Sequence, residues 1–385
     1  MIKIGIECHK LESSSENQKA GIGRHLYKLL EEISEHPELQ KEFRFYLYFK
    51  SFIPAIEFLK SPVFVKKIAR FPFFFPFFRP SFNVFFHLAL PLFCIKDKIN
   101  AAFFPSFMMP ALLTGKSVAV LTNDVYYEYS RGTLPLKFKL SYRLFSNWAA
   151  KRATYITTYS NFAKKEIVQF FKLNEDRVEV IPLGIDREFI ENYAKDKNET
   201  EKKDKILYIG QAFPRRHLKE TILAFEKIST AFPALTLTAI GIDKYNPPQI
   251  KKLARETNKK LKKEKIIYRE SVSDDELLKS YREANLLIYV SSSEAMGLPP
   301  LEALAAKTPS VVADNELTRE IFKDNAFFVK DPDNPDSIAQ TIKEGLTNKE
   351  KYNQIVNSRH FILSKYTWPK HLDQMLKIFR RTAGL

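Results

Sequence analysis

The chain has 385 residues, 45% of them hydrophobic, and a formal net charge of +16. That length predicts two domains, and the two cysteines, Cys8 and Cys94, are too few for a disulfide framework or a cysteine metal site. The positive charge favours phosphorylated substrates and acidic lipid surfaces over nucleic acid, because no recognisable nucleic-acid-binding motif accompanies it. The first residues, MIKIGIE, resemble a strand and not a secretory signal, so we expect a cytoplasmic protein.

Short apolar strands alternate with helices in the first half of the chain. The spacing of the apolar residues predicts a helix over residues 25–33. Gly21 and Gly23 precede this helix, where glycines permit a tight turn between a strand and a helix. The predicted strands cover residues 2–7, 43–49, 101–105 and 118–121.

Residues 71–93, FPFFFPFFRPSFNVFFHLALPLF, form an apolar segment long enough to cross a bilayer. Four prolines, together with Arg79, Asn83 and His87, argue against a membrane-spanning helix, because lipid cannot satisfy the broken backbone hydrogen bonds. Two alternatives remain. The segment packs inside the first domain, or part of it lies in the membrane interface, where flanking basic residues meet acidic lipids. We favour the interface, since so many phenylalanines are hard to bury in one small domain.

The second half repeats the alternation after a charged segment at residues 188–204, which is typical of a linker. A strand at residues 205–210 ends at Gly210, and a loop through Arg216 leads into a helix. A guanidinium before a helix is suited to a phosphate, and ordinary surface charge is the alternative for Arg215 and Arg216. The strongly basic helix predicted at residues 251–265 is expected to present a solvated face, with an anionic membrane as the alternative partner.

Residues 285–314, NLLIYVSSSEAMGLPPLEALAAKTPSVVAD, predict a strand, a glycine turn, a helix and a second strand. Helix N-termini attract phosphate, and Gly297 allows the backbone to approach such a ligand. Glu294 and Glu302 cannot serve a phosphate, because like charges repel, but carboxylates accept hydrogen bonds from sugar and ribose hydroxyls. The combination favours a nucleotide sugar, although Glu302 in a first helical turn would also stabilise the helix dipole.

This stretch resembles the E-x7-E signature of the retaining glycosyltransferases of family four, the group 1 glycosyltransferases with the GT-B fold. Glu294 and Glu302 supply its two glutamates, and Ala295 and Met296 replace the Gly-Phe of the usual E-G-F-G-L-P-x-L-E-A. The string GQAFPRRHLKETILAF resembles the family's G-x-x-x-P-R-K-N-L segment, with Arg216 at the position usually held by lysine. The resemblance covers nearly the whole chain and is strongest in residues 205–315.

The resemblance implies a role for each candidate residue. Glu294 would position the transferred sugar, Glu302 would hold the ribose hydroxyls and Arg216 would neutralise the donor diphosphate. The remaining donor-binding residues that it implies are Gly210, Val272, Met296, Gly297 and Leu298. Gly21 and Gly23 would form a loop that approaches the donor phosphate or the acceptor.

Asn123 is the main departure from the family pattern. Where relatives commonly have His-Asp, this chain has Thr122-Asn123-Asp124. Asparagine can hydrogen-bond a sugar hydroxyl, but it cannot share a proton as an imidazole can. We retain Asn123 with Glu294 as the two candidate catalytic residues.

The sequence therefore predicts an α/β protein with two doubly wound, Rossmann-like domains facing a cleft, and a C-terminal helix that crosses back to the first domain. The expected divisions are an acceptor-binding domain at 1–187, a linker at 188–204, a nucleotide-sugar-binding domain at 205–365 and the final helix at 366–385.

The resemblance implies transfer of a hexose of mannose or glucose type from a nucleotide sugar, such as GDP-mannose or UDP-glucose, to a hydroxyl acceptor. We expect no cofactor and no metal. The basic, aromatic first domain favours a lipid-linked glycan acceptor in cell-surface polysaccharide or lipopolysaccharide synthesis. The protein would then be peripheral at the inner face of the cell membrane. Two alternatives are a nucleotide-sugar epimerase with a similar fold and a non-catalytic membrane-associated scaffold.

Overall fold

The computed structural model describes residues 1–12, 21–69, 81–130, 135–187, 189, 202 and 204–385. The chain forms two compact units. The first unit consists of Met1–Tyr129, Leu136–Gly184 and Thr367–Leu385, and the second consists of Ser130–Pro135 and Ile185–Tyr366. Each unit is built on a parallel sheet with helices, so the predicted α/β class is confirmed.

Within the described part of the first unit, seven parallel strands form one sheet in the order β3-β2-β1-β4-β5-β6-β7. The strands β4 and β5 are buried at every position, as expected where helices cover both faces of a parallel sheet. The strand order reverses between β1 and β4. The strands are β1 (Ile2–Glu7), β2 (Phe43–Phe49), β3 (Phe64–Ile68), β4 (Ala101–Phe104), β5 (Ser117–Val120), β6 (Tyr155–Thr158) and β7 (Val178–Val180).

The helices of the first unit pack on this sheet. They are α1 (Gly21–Ser34), α2 (Leu90–Lys96), α3 (Asn123–Ser130), α4 (Leu136–Arg152), α5 (Asn161–Phe171) and the C-terminal helix (Trp368–Ala383). A short helix, Phe82–Val84, and a π-helical turn, Phe85–Ala89, lead directly into α2. Ser160 caps α5, because its hydroxyl accepts a hydrogen bond from the Ala163 amide at 3.1 Å.

The C-terminal helix buries its apolar side in the first unit. Leu372, Met375 and Phe379 belong to the same buried cluster as Leu26 and Leu29 of α1. The helix therefore completes a core whose other members lie more than 190 positions earlier in the chain. Its predicted return to the first domain is confirmed.

The described residues of the second unit form a six-stranded parallel sheet in the order β10-β9-β8-β11-β12-β13, which reverses between β8 and β11. Its strands are β8 (Lys205–Ile209), β9 (Thr236–Ile240), β10 (Ile266–Arg269), β11 (Leu286–Tyr289), β12 (Ser310–Ala313) and β13 (Phe327–Val329). Its helices are α6 (Leu218–Ile228), α7 (Ile250–Leu261), α8 (Asp274–Glu283), α9 (Leu298–Ala305), α10 (Glu316–Phe322), α11 (Pro335–Thr347) and α12 (Lys349–Leu363).

Several local expectations need correction. The helix α1 begins at Gly21, four residues before the predicted start, and the edge strand β3 was not predicted. Glu302 lies in the second turn of α9 and not in its first, because the helix already begins at Leu298. Ser273 caps α8, and the Glu276 side chain pairs with Arg269.

The apolar segment predicted at residues 71–93 lies partly outside the described residues, which resume at position 81. In the described part, Phe85, Phe86 and Leu90 pack in a core cluster, whereas Leu88 and Leu92 are exposed. Most of the predicted linker at 188–204 also lies outside the described residues. None of the helices formed by the described residues is long and apolar enough to cross a membrane.

Candidate functional site

Most of the sequence-predicted donor residues lie at the carboxyl ends of β8 and β11. These strands are neighbours, and the strand order of the second sheet reverses between them. In open parallel sheets such a reversal leaves a crevice beyond the carboxyl ends of the strands, where ligands bind. The loop after β8 carries Gly210 and Arg216, and the loop after β11 carries Glu294 and Gly297.

Hydrogen bonds join these two loops directly. The Ser292 amide donates to the Arg215 carbonyl at 2.9 Å, and Arg215 Nε donates to the Ser293 carbonyl at 3.0 Å. The His217 ring, through Nε2, lies 2.6 Å from the Ser292 hydroxyl. The interpretation of Arg215 as surface charge is therefore wrong, since this side chain is buried and ties one loop to the other. His217 was not predicted at all.

Arg216 and Glu294 form a bidentate ion pair. Arg216 Nε lies 2.5 Å from Glu294 Oε1, and Nη2 lies 3.0 Å from Oε2. The Ser291 hydroxyl donates to the same carboxylate at 3.0 Å, and Arg216 Nη1 donates to the Gln211 carbonyl at 3.2 Å. The two residues to which separate roles were assigned, sugar positioning and phosphate binding, thus hold one another in place.

Both members of this pair are charged at neutral pH. Burial acts to raise the pKa of Glu294, but the positive charges of Arg216 and Arg215 hold it below its ordinary value. Burial acts to lower the pKa of Arg216, but the charge of Glu294 holds it well above its ordinary value. The Arg216 guanidinium also lies over the Tyr289 ring, 5.5 Å from its centroid. The site therefore presents an oriented, permanently charged cation.

Two glycines make room for this arrangement. Gly210 has φ +130°, and a Cβ added there would lie 2.8 Å from Arg216 Nη1. A Cβ on Gly241, at the end of β9, would lie 2.0 Å from the Gly210 carbonyl oxygen. Gly210 was predicted as a donor-binding residue. Gly241 was missed as a site residue, because its contact is with a loop some 30 positions away in the sequence.

Gly297 caps α9 in the left-handed conformation, with φ +80°. Pro299 and Pro300 follow Leu298 and have no amide hydrogen. Of the amides that the start of a helix leaves without an intrahelical partner, only those of Gly297 and Leu298 can therefore donate to a ligand. The start of α9 therefore offers a phosphate fewer amide donors than the start of a helix without prolines would.

The other predicted donor residues are placed differently. Glu302 is buried and accepts a hydrogen bond from the Tyr281 hydroxyl of α8 at 2.7 Å. Met296 is buried beside the glycine turn. Val272 is half-buried in the loop after β10, the outermost strand on the other side of β9.

Asn123, Gly21 and Gly23 belong to the first unit. Asn123 follows β5, is fully buried and donates through Nδ2 to Glu166 at 2.7 Å. Gly21 has φ +53°, and a Cβ added there would meet nothing within 4 Å. Gly21 and Gly23 lie in the first turn of α1.

A chain of buried hydrogen bonds in the first unit was not predicted. His371 Nδ1 lies 2.8 Å from the Pro182 carbonyl oxygen, which can only accept, so Nδ1 carries the proton. In a neutral ring His371 Nε2 then accepts, and the His25 Nε2 that lies 3.1 Å away must donate. His25 Nδ1 in turn accepts from the Tyr159 hydroxyl at 3.1 Å. A single backbone carbonyl thus fixes the tautomers of both rings.

Burial keeps both rings of this chain neutral. It lowers the pKa of His371 to about 4, against the opposing effect of the Pro182 carbonyl. It also holds the pKa of His25 well below its ordinary value, with His371 adding to the effect. The chain joins α1, the residue after β6 and the C-terminal helix.

No group of three or more His, Cys, Asp or Glu side chains suited to a metal ion occurs among the described residues. The D-x-D string at Asp331 and Asp333 has a turn role, because the Asp333 amide donates to the Asp331 carboxylate at 3.2 Å.

Solved structures share this fold over nearly the whole chain. The sucrose-phosphate synthase of Thermosynechococcus elongatus matches with a TM-score of 0.71 and 16% identity, covering 99% of each chain. Anabaena HepE, solved in complex with UDP-glucose, matches with a TM-score of 0.64 and 13% identity, covering 99% of this chain and 100% of HepE. The fold is therefore that of the GT-B glycosyltransferases.

Two family models match in turn. The model described as Glycosyltransferase Family 4 covers residues 20–189, and the model described as Glycosyl transferases group 1 covers residues 189–359. The chain belongs to this family, the group 1 glycosyltransferases of family 4, as its glutamate signature predicts.

Curated relatives match over part of their length. The O-antigen chain mannosyltransferase RfbU of Salmonella typhimurium is 25% identical over 206 residues, which are 53% of this chain and 54% of RfbU. The serotype-specific mannosyltransferase WbdA of Escherichia coli is 26% identical over 175 residues, 45% of this chain and 20% of WbdA. The chain thus spans about half of the first relative and a fifth of the second. The matches favour neither the epimerase nor the scaffold alternative.

Proposed function

We propose that the protein is a retaining glycosyltransferase that moves a hexose from a nucleotide diphosphate sugar to a hydroxyl group of a glycan acceptor. The observation that carries this proposal is the Arg216–Glu294 pair beside the Gly297 turn, at the strand-order reversal of the second sheet. A fixed cation next to two free amides suits a diphosphate leaving group. The names of the relatives RfbU and WbdA favour mannose as the sugar.

In the proposed reaction the bond between the sugar C1 and the diphosphate oxygen breaks, and a bond forms between C1 and the acceptor oxygen on the same face. Negative charge develops on the diphosphate, where Arg216 and the amides of Gly297 and Leu298 stabilise it. The loss of one such donor costs about 3–4 kcal/mol in the transition state. The acceptor's proton passes to the leaving phosphate, so no side chain needs to act as a nucleophile and no metal ion takes part.

Other residues would position the donor. Glu302, which accepts a hydrogen bond from Tyr281, would hold the ribose hydroxyls of the donor. Val272 and Met296 would line the nucleotide and sugar parts of the site. Glu294 would act mainly by orienting Arg216 and would contact the sugar with the edge of its carboxylate, since both of its oxygens already accept from Arg216.

The first unit would bind the acceptor, with Gly21 and Gly23 near it and Asn123 supporting this side of the reaction. A lipid-linked glycan of cell-surface polysaccharide or lipopolysaccharide synthesis agrees with the names of the curated relatives. An enzyme with such an acceptor would work as a peripheral protein at the inner face of the cell membrane. The net charge of +16 favours the anionic surface found there.

A donor screen tests the proposal. Purified protein is incubated with common UDP- and GDP-sugars, and nucleoside diphosphate release is measured together with the shift in thermal unfolding. We expect one donor to be turned over and Glu294→Ala to abolish its turnover. The matched control is Glu256→Ala, which removes an exposed carboxylate from α7 and should change nothing. If no donor is turned over and no nucleoside diphosphate binds, the proposal is wrong.

A further inference from the structure

The helix α4 carries a stripe of large apolar side chains that face solvent. Leu136, Leu140, Leu144 and Trp148 follow one another at intervals of four residues and are exposed by 71, 56, 66 and 36%. Residues four apart lie on the same side of a helix. The four side chains, here called the α4 stripe, therefore form one continuous apolar line.

The exposure of the α4 stripe does not come from a loosely held helix. Ser146, Ala149 and Ala150, on the other side of α4, are fully buried, and the two alanines belong to a core cluster of the first unit. Small residues thus face the core, and large apolar residues face outward. This is the reverse of the usual amphipathic arrangement, and hydration of the stripe is unfavourable.

Two neighbouring segments that contact α4 also carry exposed apolar side chains. The His87 ring stacks on Phe145 of α4, with 6.1 Å between centroids, and accepts a hydrogen bond from the Ala111 amide at 3.1 Å. Leu88 and Leu112 adjoin these contacts in sequence and are exposed. Exposed apolar surface concentrated in one region marks an interaction site.

The charged residues of α4 and of the segments 81–96 and 105–116 all have one sign. None of residues 81–96, 105–116 and 135–152 is Asp or Glu. Lys137, Lys139 and Arg143 flank the first half of the stripe, and Lys151 and Arg152 flank Trp148. The Arg152 guanidinium lies 5.6 Å from the centroid of the Trp148 ring.

We infer that the α4 stripe and its basic flanks are the surface on which the first unit docks to an anionic lipid bilayer. Leucine and tryptophan side chains bounded by Lys and Arg suit the boundary between acyl chains and acidic head groups. A second copy of the chain fits poorly, because two surfaces bearing only positive charge repel. The role of the docking in catalysis rests on the proposed lipid-linked acceptor, but the docking does not depend on it.

Vesicle binding tests this inference without donor or acceptor. The full-length protein is sedimented with phosphatidylcholine vesicles that either contain or lack phosphatidylglycerol. The chain has two tryptophans, and Trp368 is buried, so a blue shift of emission on binding reports Trp148. We expect binding and a blue shift only with the anionic vesicles, and weaker binding at high salt.

Two variants separate the contributions of the apolar and the charged side chains to vesicle binding. The double variant Leu140→Gln with Leu144→Gln removes the centre of the stripe and should lose vesicle binding. The triple variant Lys137→Gln, Lys139→Gln and Arg143→Gln should weaken it by about 100-fold, since each basic residue near the surface contributes about a factor of five.

The matched control lies on α7. Lys251→Gln, Arg255→Gln and Lys259→Gln remove the same charges from exposed positions of another basic helix, whose side lacks an apolar stripe. The control should keep nearly full vesicle binding. If it loses as much as the α4 triple variant, net charge alone explains the binding and the inference is wrong.

Two further outcomes would also overturn it. One is equal binding to neutral vesicles. The other is a change in oligomeric state of the stripe variant, seen by gel filtration, with no vesicle binding by the original protein. Circular dichroism and thermal unfolding of the same samples show that each variant is folded, and nucleoside diphosphate binding to the second unit is measured beside them. It also separates failure of this inference from failure of the proposed enzymatic function.

Discussion

The two sheets carry different kinds of side-chain pairs at the carboxyl ends of their strands. In the second unit two charged side chains, Arg216 and Glu294, pair in a half-enclosed site. In the first unit two neutral rings, His25 and His371, share a hydrogen bond in a fully buried position. A charged pair that is close to the surface can form new ion pairs with a charged ligand. A buried chain of neutral groups has its hydrogen bonds satisfied within the protein. We interpret the Arg216–Glu294 pair as part of a ligand-binding site. We interpret the His25–His371 contact as a structural interaction that holds the C-terminal helix in place.

Breaking the Arg216–Glu294 ion pair should have the largest effect on activity and stability. We expect Arg216→Gln to lower turnover of the donor about 100- to 1,000-fold, since a preorganised cation is lost. It should also lower the free energy of unfolding, by at most about 3–5 kcal/mol, because Glu294 loses its bidentate partner and keeps only the positive charge of Arg215. Adding Glu294→Gln should restore much of the stability and none of the activity. Steady-state kinetics and urea unfolding measure the two effects.

A second ion pair at the other end of the same sheet provides the control. Lys205 and Glu283 lie 2.9 Å apart and are similarly enclosed. Lys205→Gln should lower stability and leave turnover per folded molecule unchanged. Loss of turnover in proportion to stability in both variants would contradict a direct role for Arg216.

The buried neutral rings of His25 and His371 should make the stability of the protein depend on pH. The pKa values of His25 and His371 are lowered in the folded state, so the unfolded chain binds more protons as the pH falls below about 6.5. The free energy of unfolding should therefore be highest above that pH and decrease towards pH 4, by up to about 1.4 kcal/mol per pH unit for each ring. His371→Gln should remove one ring's share of this slope, measured by urea unfolding at several pH values.

Tyr159→Phe is the companion variant for the histidine chain. It removes the hydroxyl that donates to His25 and leaves both titrating rings in place. Overall stability should fall by about 1 kcal/mol, with the pH slope retained. A wild-type protein whose stability is constant from pH 7 to pH 5 would contradict the buried neutral pair.

Gly210 tests how closely the Arg216–Glu294 ion pair is packed. Gly210→Ala would place a Cβ 2.8 Å from Arg216 Nη1 at φ +130°. We expect a loss of about 1–3 kcal/mol in stability from backbone strain, together with reduced turnover, as the guanidinium is displaced. Gly115→Ala is the control, since a Cβ there meets nothing within 4 Å. Unchanged kinetics in Gly210→Ala would show that the position of Nη1 is unimportant.

The smallest effect is expected from Glu302→Gln. The amide oxygen can still accept from Tyr281, so stability should change by less than about 1 kcal/mol. Donor affinity should fall about tenfold if the charged oxygen binds ribose, because hydrogen bonds to charged groups are the stronger ones. Calorimetry with the nucleoside diphosphate measures this change, and an unaltered dissociation constant would leave Glu302 with a structural role only.

The sequence predicted the strands β1, β2, β4, β5, β8, β11 and β12, because each contains a short apolar run. β3 was missed because its two lysines, Lys66 and Lys67, interrupt the apolar pattern at the sheet edge. The candidate donor residues could also be found from the sequence, since the glycine turn, the prolines and the glutamates lie close together in the chain. The contacts made by Asn123 and Glu302 could not, because burial and a hydrogen-bond partner on another element leave no local pattern.

By itself, the sequence determined the α/β class, the family and the positions of Arg216, Glu294 and Gly297, since these depend on local spacing. Only the tertiary structure decided that Arg216 pairs with Glu294 across 78 positions and His25 with His371 across 346. The tertiary structure also determined which side of α4 is buried. A line of leucines at helical spacing indicates a buried face, yet in this protein Ser146 and two alanines fill the narrow space against the core, and the leucines face outward. Periodicity shows that one side of a helix differs from the other, and packing decides which side is buried.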